Sequence, residues 1–296
     1  MFGKALFPTD FSAYANSVFA CLPDLKVAGV GVVVLVSVIR GSDVPMPETI
    51  NQEALARVKW SVQEQMNIAR MALEGQGLRV ITRVEYGSVS EQVMKVADEE
   101  RIDLIVLGAQ GKSLSEELLL GSTAQSVLRQ AAVPVLILKA QVVRHMGHVE
   151  CRNMCVNVFS RILHPTDFSE CAKQAFQIVR RLSTFGAGEV VLVHVQDERS
   201  LRHASAQQIA AFDEEDKSRL EQMSRALLMK GIRSELRLLH GHPVREILRV
   251  TQEERASLLV LGTRGRSAIQ EILTGSTAEN VVRLARCPVL AVPCSA

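Results

Sequence analysis

The sequence predicts an α/β chain of two tandem domains, each a doubly wound, five-stranded parallel sheet. Three observations carry that expectation. The length, 296 residues, is about twice an ordinary domain of roughly 150. The chain also repeats itself in order. Pro8-Thr9-Asp10-Phe11-Ser12 returns as Pro165-Thr166-Asp167-Phe168-Ser169, and Val33-Val34-Leu35-Val36-Ser37-Val38 returns as Val190-Val191-Leu192-Val193-His194-Val195, both 157 residues on. Gly121-Ser122-Thr123-Ala124 returns as Gly275-Ser276-Thr277-Ala278, and Pro134-Val135-Leu136 as Pro288-Val289-Leu290, now 154 residues on. Within each copy, short β-branched runs alternate with longer helical stretches, which signals βαβ units. A period of about 155 is too long for a solenoid repeat, so a whole domain is duplicated.

In the first copy, strands are expected near 4–8, 32–39, 79–86, 103–107 and 135–138, with helices near 12–25, 51–75, 88–100 and 123–132. The strands are continuously apolar, Leu104-Ile105-Val106-Leu107 most clearly, as strands covered on both faces must be. Val58, Val62, Met66, Ile68 and Leu73 give the long second helix an incomplete apolar stripe, and Trp60 on that helix reads as packing. The second copy has strands near 160–164, 189–195, 233–239, 257–261 and 289–292. Two domains result, 1–140 and 159–296, joined by a linker, 141–158, that lacks a strong apolar period.

Composition excludes several classes. Apolar residues make up 47%, enough for two ordinary cores, so the chain is not disordered. A net charge of +2 with no sustained basic block does not fit a counterion-release nucleic-acid binder, and 4% aromatics do not fit a base-stacking platform. The longest nearly apolar run, Val27 to Ile39, has 13 residues, short of the roughly 20 that span a membrane. Asp10 interrupts the apolar start and no small-residue cleavage site follows, so no signal peptide is read. Six cysteines are too sparse for a disulfide scaffold, which points to the reducing cytoplasm.

The chemistry-bearing residues follow the fourth strand of each copy. Gly108-Ala109-Gln110-Gly111 precedes nine residues and then Gly121-Ser122-Thr123; Gly262-Thr263-Arg264-Gly265 precedes nine and then Gly275-Ser276-Thr277. Open parallel sheets bind ligands at the carboxyl ends of strands, where strand order reverses. Glycines there let backbone amides approach a phosphate, and a helix N-terminus beyond them favours an anion. The Ser and Thr hydroxyls are expected to cap that helix and to donate to phosphate oxygen. One such loop alone is an ordinary turn before a capped helix. Its retention in both copies, with different flanking residues, favours phosphate. Other phosphate motifs fail: Gly111-Lys112-Ser113 lacks the P-loop glycine, since Val106 stands there, and Gly29-Val30-Gly31 has no third glycine.

These residues resemble the universal stress proteins in their tandem two-domain form. The resemblance spans nearly the whole chain except the linker. Its most specific part is the Gly-x2-Gly-x9-Gly-Ser pattern, which marks the ATP-binding branch of that family. Residue by residue, it implies that Asp10 and Asp167, with Pro8, Thr9, Pro165 and Thr166 beside them, lie against the adenosine. It implies that Val38 and Val195 meet adenine through backbone groups. Gly108, Gly111, Gly121, Ser122 and Thr123 would hold ribose and phosphates, as would Gly262, Gly265, Arg266, Gly275, Ser276 and Thr277. From the residues alone, the alternative reading of Asp10 and Asp167 is a helix cap, and one residue can serve both roles. Gln110 and Lys112 become Arg264 and Arg266 in the second copy, whose forked guanidinium groups favour tighter triphosphate binding there. The expected ligand is ATP with Mg2+. The family also implies pairing through the last strand of each domain, which a tandem chain satisfies internally while still admitting a homodimer.

The linker holds His145, His148, Cys151 and Cys155 within eleven residues, a set that zinc takes tetrahedrally. It matches no standard zinc module, and the alternatives are a plain polar linker or a Cys151–Cys155 redox pair. His164 and His194 read as core histidines, while His240 and His242 flank Gly241 near the expected site, where one of them would touch ligand. Cys21, Cys171, Cys287 and Cys294 read as buried small hydrophobes. No catalytic constellation is apparent. The leading expectation is an ATP-binding stress-response regulator, a nucleotide-dependent switch acting on a protein partner. The alternatives are a slow ATPase or nucleotidyl transferase, or a metal or redox sensor driven by the linker.

Overall fold

The computed structural model describes residues 2–40, 52–110, 120–145, 148–153, 157–182, 188–263 and 275–294. The chain divides into two compact units, Met1–Cys155 and Val156–Ala296. The first runs β1 (Lys4–Pro8), α1 (Ala13–Phe19), a 3-10 helix (Leu22–Ala28), β2 (Val32–Ile39), α2 (Gln52–Glu74), β3 (Arg79–Tyr86), α3 (Val89–Glu99), β4 (Leu104–Gly108), α4 (Ser122–Gln130) and β5 (Val135–Leu138). Its sheet order is β3-β2-β1-β4-β5, all parallel. Chain direction across the sheet reverses between β1 and β4, so a crevice opens at their carboxyl ends. Val33 to Val36 and Leu104 to Leu107 are buried without alternation, because helices cover both faces of the sheet.

The stretch expected as one helix over 12–25 breaks in two. Pro23 lacks the N–H that would continue α1, so the bonding resets to a short 3-10 helix that Gly29 ends at φ 91°. On α2, Met66 and Leu73 are fully buried, while Ile68 (62%) and Trp60 (71%) are exposed. Trp60 is therefore not packing: it lies off the 66/73 stripe that the sheet covers. Helix α4 stops at Gln130 because Pro134 disfavours helical backbone just before it.

The expected linker is not featureless. It contains an antiparallel hairpin, β6 (Ala140–His145) and β7 (His148–Asn153), which packs against α1.

The second unit repeats the plan: β8 (Arg161–Pro165), α5 (Glu170–Leu182), β9 (Glu189–Asp197), α6 (Glu198–Leu201), α7 (Ala206–Leu228), β10 (Arg233–Gly241), α8 (Pro243–Glu253), β11 (Leu258–Gly262), α9 (Ser276–Leu284) and β12 (Val289–Val292). The parallel order is β10-β9-β8-β11-β12. An ion-pair cluster ties the amino end of its sheet. Arg161 bonds Glu189, Glu235 and Glu254, and Arg237 bonds Glu235 and Glu254. The Arg237 and Arg161 guanidinium groups hold the Glu254 carboxyl below its usual range.

Two cysteine readings are corrected. Cys171 is buried but is disulfide-bonded to Cys294, not a free small hydrophobe. Cys21 is likewise buried and disulfide-bonded. Sequence spacing gave no sign of this, because Cys171 and Cys294 are 123 residues apart and only the sheet brings them together. Cys287 is buried, as expected.

Candidate functional site

The two units build the same turn after their central strand. In the first, the Thr9 N–H donates to the Val36 carbonyl (2.8 Å), and the Phe11 N–H donates to Thr9 Oγ1 (3.1 Å). Phe11 is left at φ 55°, a left-handed conformation held by these bonds. The Ser12 N–H donates to Asp10 Oδ1 (3.0 Å), and Ser12 Oγ in turn accepts from the Ala15 N–H (3.2 Å). The helix cap is therefore Ser12; Asp10 ties the turn before it and lies exposed at the crevice. The second unit copies each step: Thr166 N–H to Val193 O (2.8 Å), Phe168 N–H to Thr166 Oγ1 (3.0 Å), Ser169 N–H to Asp167 Oδ1 (3.0 Å), and Phe168 at φ 60°.

Val38 sits two residues beyond Val36, and period-two backbone turns its N–H and C=O to the same side. That side belongs to β1 as far as Pro8, the register partner of Val36, where β1 ends. The Val38 peptide groups thus face the crevice, and Val195 repeats the arrangement beyond Val193 and Pro165.

The glycines divide into two kinds. A Cβ on Gly108 would stand 2.9 Å from the Tyr14 ring, and one on Gly262 would stand 2.8 Å from the Cys171 carbonyl carbon. These two glycines admit a helix against the strand end, a packing need the sequence could not separate from phosphate approach. Gly121 differs. Its φ of −63° suits any residue, and a Cβ there would meet nothing nearer than 3.4 Å. Gly121 and Gly275 are the N-caps of α4 and α9, and neither helix has a side-chain cap. This corrects the expected capping by hydroxyls: Ser122, Thr123, Ser276 and Thr277 already lie in the first turn. Each cap glycine is held by its own N–H, Gly121 to Ala109 O and Gly275 to Thr263 O, both 2.7 Å. Gly111, Gly265 and Arg266, like Cys155 of the linker set, lie outside the described residues. His145 and His148 are register partners at the end of the hairpin, and Cys151 pairs with Val142.

The second unit adds a polar network that the motif search missed. His194 Nδ1 lies 2.7 Å from the Thr166 carbonyl, and its Nε2 lies 3.2 Å from Asp216 Oδ2. The Gln196 amide donates to Asp216 Oδ2 (2.9 Å), and His240 Nε2 lies 3.1 Å from Gln196 Oε1 and 2.9 Å from Asp213 Oδ1. His240 is thus engaged by side chains of β9 and α7, and His242 is the N-cap position of α8. The signal was present in the differences between copies, where Ser37 and Ile39 become His194 and Gln196. Beside this network lies a cavity of about 650 Å³, with Phe168, Phe176 and Met223 on its apolar side and Thr166, Lys173 and Arg219 among its polar groups. The Arg219 guanidinium sits 5.3 Å over the Phe168 ring. Nearby, the Arg199 guanidinium holds the Asp197 carboxyl below its usual range.

His164 and His194 are both buried, as expected of core histidines. His164 donates from Nδ1 to the Val260 carbonyl (2.8 Å), while its Nε2 is buried without a partner. Burial pushes its pKa down to about 4.

Comparison with known proteins agrees with this architecture. The universal stress protein family matches residues 1–139 and again 159–293. Universal stress protein MJ0577 of Methanocaldococcus jannaschii is 30% identical over 154 residues, covering 46% of this chain and 95% of that protein. A universal stress protein of Thermus aquaticus is 31% identical over 140 residues, covering 46% of this chain and 99% of its own. The crystal structure of a universal stress protein from Archaeoglobus fulgidus aligns over 99% of this chain and 96% of its own, with a TM-score of 0.74 at 24% identity, a likeness of fold. No helix among the described residues is long and apolar enough to cross a membrane. With the family matched twice along its length, the chain belongs to the universal stress protein family.

Proposed function

We propose that each unit binds one adenine nucleotide, ATP with magnesium, across the crevice at the carboxyl ends of its first, second and fourth strands. Occupancy rather than turnover is the output, so the chain acts as a nucleotide-dependent regulator of a protein partner in a cytoplasmic stress response. One observation carries this reading. Gly121 and Gly275 begin helices that have no side-chain cap, and the backbone at Gly121 needs no glycine for its own conformation. A helix start without a side-chain cap, with room where a Cβ would stand on Gly121, suits an anion as acceptor for its N–H groups. The crevice-facing peptide groups of Val38 and Val195 suit the edge of adenine, and Asp10 and Asp167 suit ribose hydroxyls. The bound group supplies phosphates and a cation; the chain's own part is to orient them and to change with their presence.

The test begins with the nucleotide content of the purified protein, released by heat and resolved by chromatography. About two ATP per chain are expected, and Gly121→Glu or Gly275→Glu should each remove one, because a carboxylate then occupies the helix start. No nucleotide, and no uptake from added ATP and magnesium, refutes the reading. Steady phosphate release from ATP replaces the switch by a slow ATPase.

A further inference from the structure

We infer that Cys171 and Cys294 form a reversible oxidation site that locks the two glycine anchors of the second unit, Gly262 and Gly275, and that the equivalent glycines of the first unit, Gly108 and Gly121, have no such lock. Only its effect on nucleotide affinity rests on the function proposed above; the lock itself stands on the geometry of the second unit.

Cys171 lies in the first turn of α5 and Cys294 lies two residues beyond β12. Their Cα atoms are 4.8 Å apart, within the ordinary range for a bridge. The Cys171 backbone is pressed against Gly262, where a Cβ would come 2.8 Å from its carbonyl carbon and 2.9 Å from its oxygen. On the other side, the Thr263 N–H donates to Val292 O (2.9 Å), and Thr263 O accepts from the Gly275 N–H (2.7 Å). The disulfide therefore closes a ring from α5 through Gly262 and Thr263 to Val292, Cys294 and back to Cys171. Both glycine anchors of the loop, Gly262 and Gly275, hang on that ring.

The first unit has the same hydrogen bonds without the bridge. Ala109 N–H donates to Leu138 O (3.0 Å), and Ala109 O accepts from Gly121 N–H (2.7 Å). The positions corresponding to the two cysteines are Tyr14, 157 residues before Cys171, and Ala140, 154 before Cys294. The Tyr14 ring covers Gly108, and its hydroxyl donates weakly to Leu138 O at 3.5 Å. Gly108 is held by packing against a ring and Gly262 by a covalently bridged backbone, so the redox state of the Cys171–Cys294 pair acts on the glycine anchors of the second copy alone.

The chemistry is thiol–disulfide exchange with a low-molecular-weight thiol such as glutathione. Cys171 is buried and Cys294 partly exposed, so an external thiolate attacks the Cys294 sulfur and forms a mixed disulfide. The electron pair of the broken bond leaves on Cys171, in the first turn of α5. A second external thiolate attacks the mixed disulfide at its own kind of sulfur, leaving Cys294 as thiolate and releasing the oxidised thiol dimer. Two thiols have given two electrons, and the two cysteine thiolates take up protons. Oxidation by the thiol dimer is the reverse.

The experiment uses the full chain equilibrated in glutathione buffers of graded ratio. Alkylation followed by peptide-resolved mass spectrometry reads Cys171 and Cys294, amide hydrogen exchange reads Thr263 and Gly275, and ATP titration reads affinity. Reduction is expected to speed exchange at both amides and to weaken one of two nucleotide sites by about five- to tenfold, leaving the other unchanged. Cys294→Ser should resemble reduced protein in every buffer, and Cys171→Ala should do the same. Both cysteines alkylated after equilibration in oxidised glutathione overturns the inference. So does a disulfide whose reduction leaves exchange at Thr263 and Gly275 unchanged, or a redox response of those two amides that persists in Cys294→Ser. If exchange responds but ATP binds in neither state, the lock stands and the nucleotide reading falls.

Discussion

Replacing His164 by Phe should remove an acid-labile step from the second unit. His164 occupies the place that Phe7 holds in the first, 157 residues earlier, and each ring packs on a phenylalanine, His164 on Phe176 at 5.8 Å and Phe7 on Phe19 at 6.4 Å. The imidazole is fully buried, and burial lowers its pKa from 6.5 to about 4. The folded state thus resists a proton that the unfolded chain accepts. Between pH 6.5 and 4 the unfolded state binds more protons, so stability falls as pH falls through that window. A shift of this size corresponds to roughly 3 kcal/mol, fully felt near pH 4 and absent at pH 7.5. Buried carboxylates also lose stability in acid, but they are common to both proteins, so the difference between wild type and His164→Phe isolates the imidazole. Urea unfolding of the full chain at intervals from pH 4 to 7.5, followed by far-UV circular dichroism, measures that difference. Fluorescence of Trp60, the sole tryptophan and part of the first unit, serves as the control that should not respond. At neutral pH the substitution should change stability by no more than about 2 kcal/mol, since the lost bond to Val260 O is offset by removing the unpartnered Nε2. Equal acid destabilisation of both proteins would refute the account.

Further outcomes follow from contacts elsewhere. Gly262→Ala sets a methyl against the Cys171 backbone, and Gly108→Ala sets one against the Tyr14 ring; by urea unfolding the former should cost about 1–3 kcal/mol and more than the latter, because a ring can shift and a helix backbone cannot. Ser12→Ala removes the cap of α1 and should cost the first unit about 1 kcal/mol, read as a lower unfolding midpoint. Arg161→Ala removes the guanidinium shared by Glu189, Glu235 and Glu254, while Arg237 keeps its bonds to Glu235 and Glu254. A loss of roughly 2 kcal/mol in the second unit is expected.

Strand positions were legible because inner strands such as β2 are buried on both faces and apolar, while a β-branched run marks the more exposed β3 at the sheet edge. β2 over Val32–Ile39 and β3 over Arg79–Tyr86 lie where the residues alone indicated. Legibility failed where a single residue redirects a local pattern. Pro23 ended α1 early, and Gly121 and Gly275 took cap positions that hydroxyls were expected to fill. The hairpin over Ala140–His145 and His148–Asn153 escaped notice because its strands mix charged and polar residues with apolar ones and show no strong apolar period.

The duplication, the parallel sheets and the turn after each central strand follow from the sequence by itself, since they depend on local periodicity and on repeated words such as Pro-Thr-Asp-Phe-Ser. Tertiary structure alone decided what each shared position does. It showed that Gly108 and Gly262 make room for helices while Gly121 and Gly275 are the N-caps of α4 and α9. It joined Cys171 to Cys294 across 123 residues, and it set His194 between Thr166 and Asp216. The reason is physical: a strand or helix is specified by neighbours a few residues away, whereas a bridge, a close packing or a hydrogen-bond network is specified by whichever distant residues the sheet brings within reach.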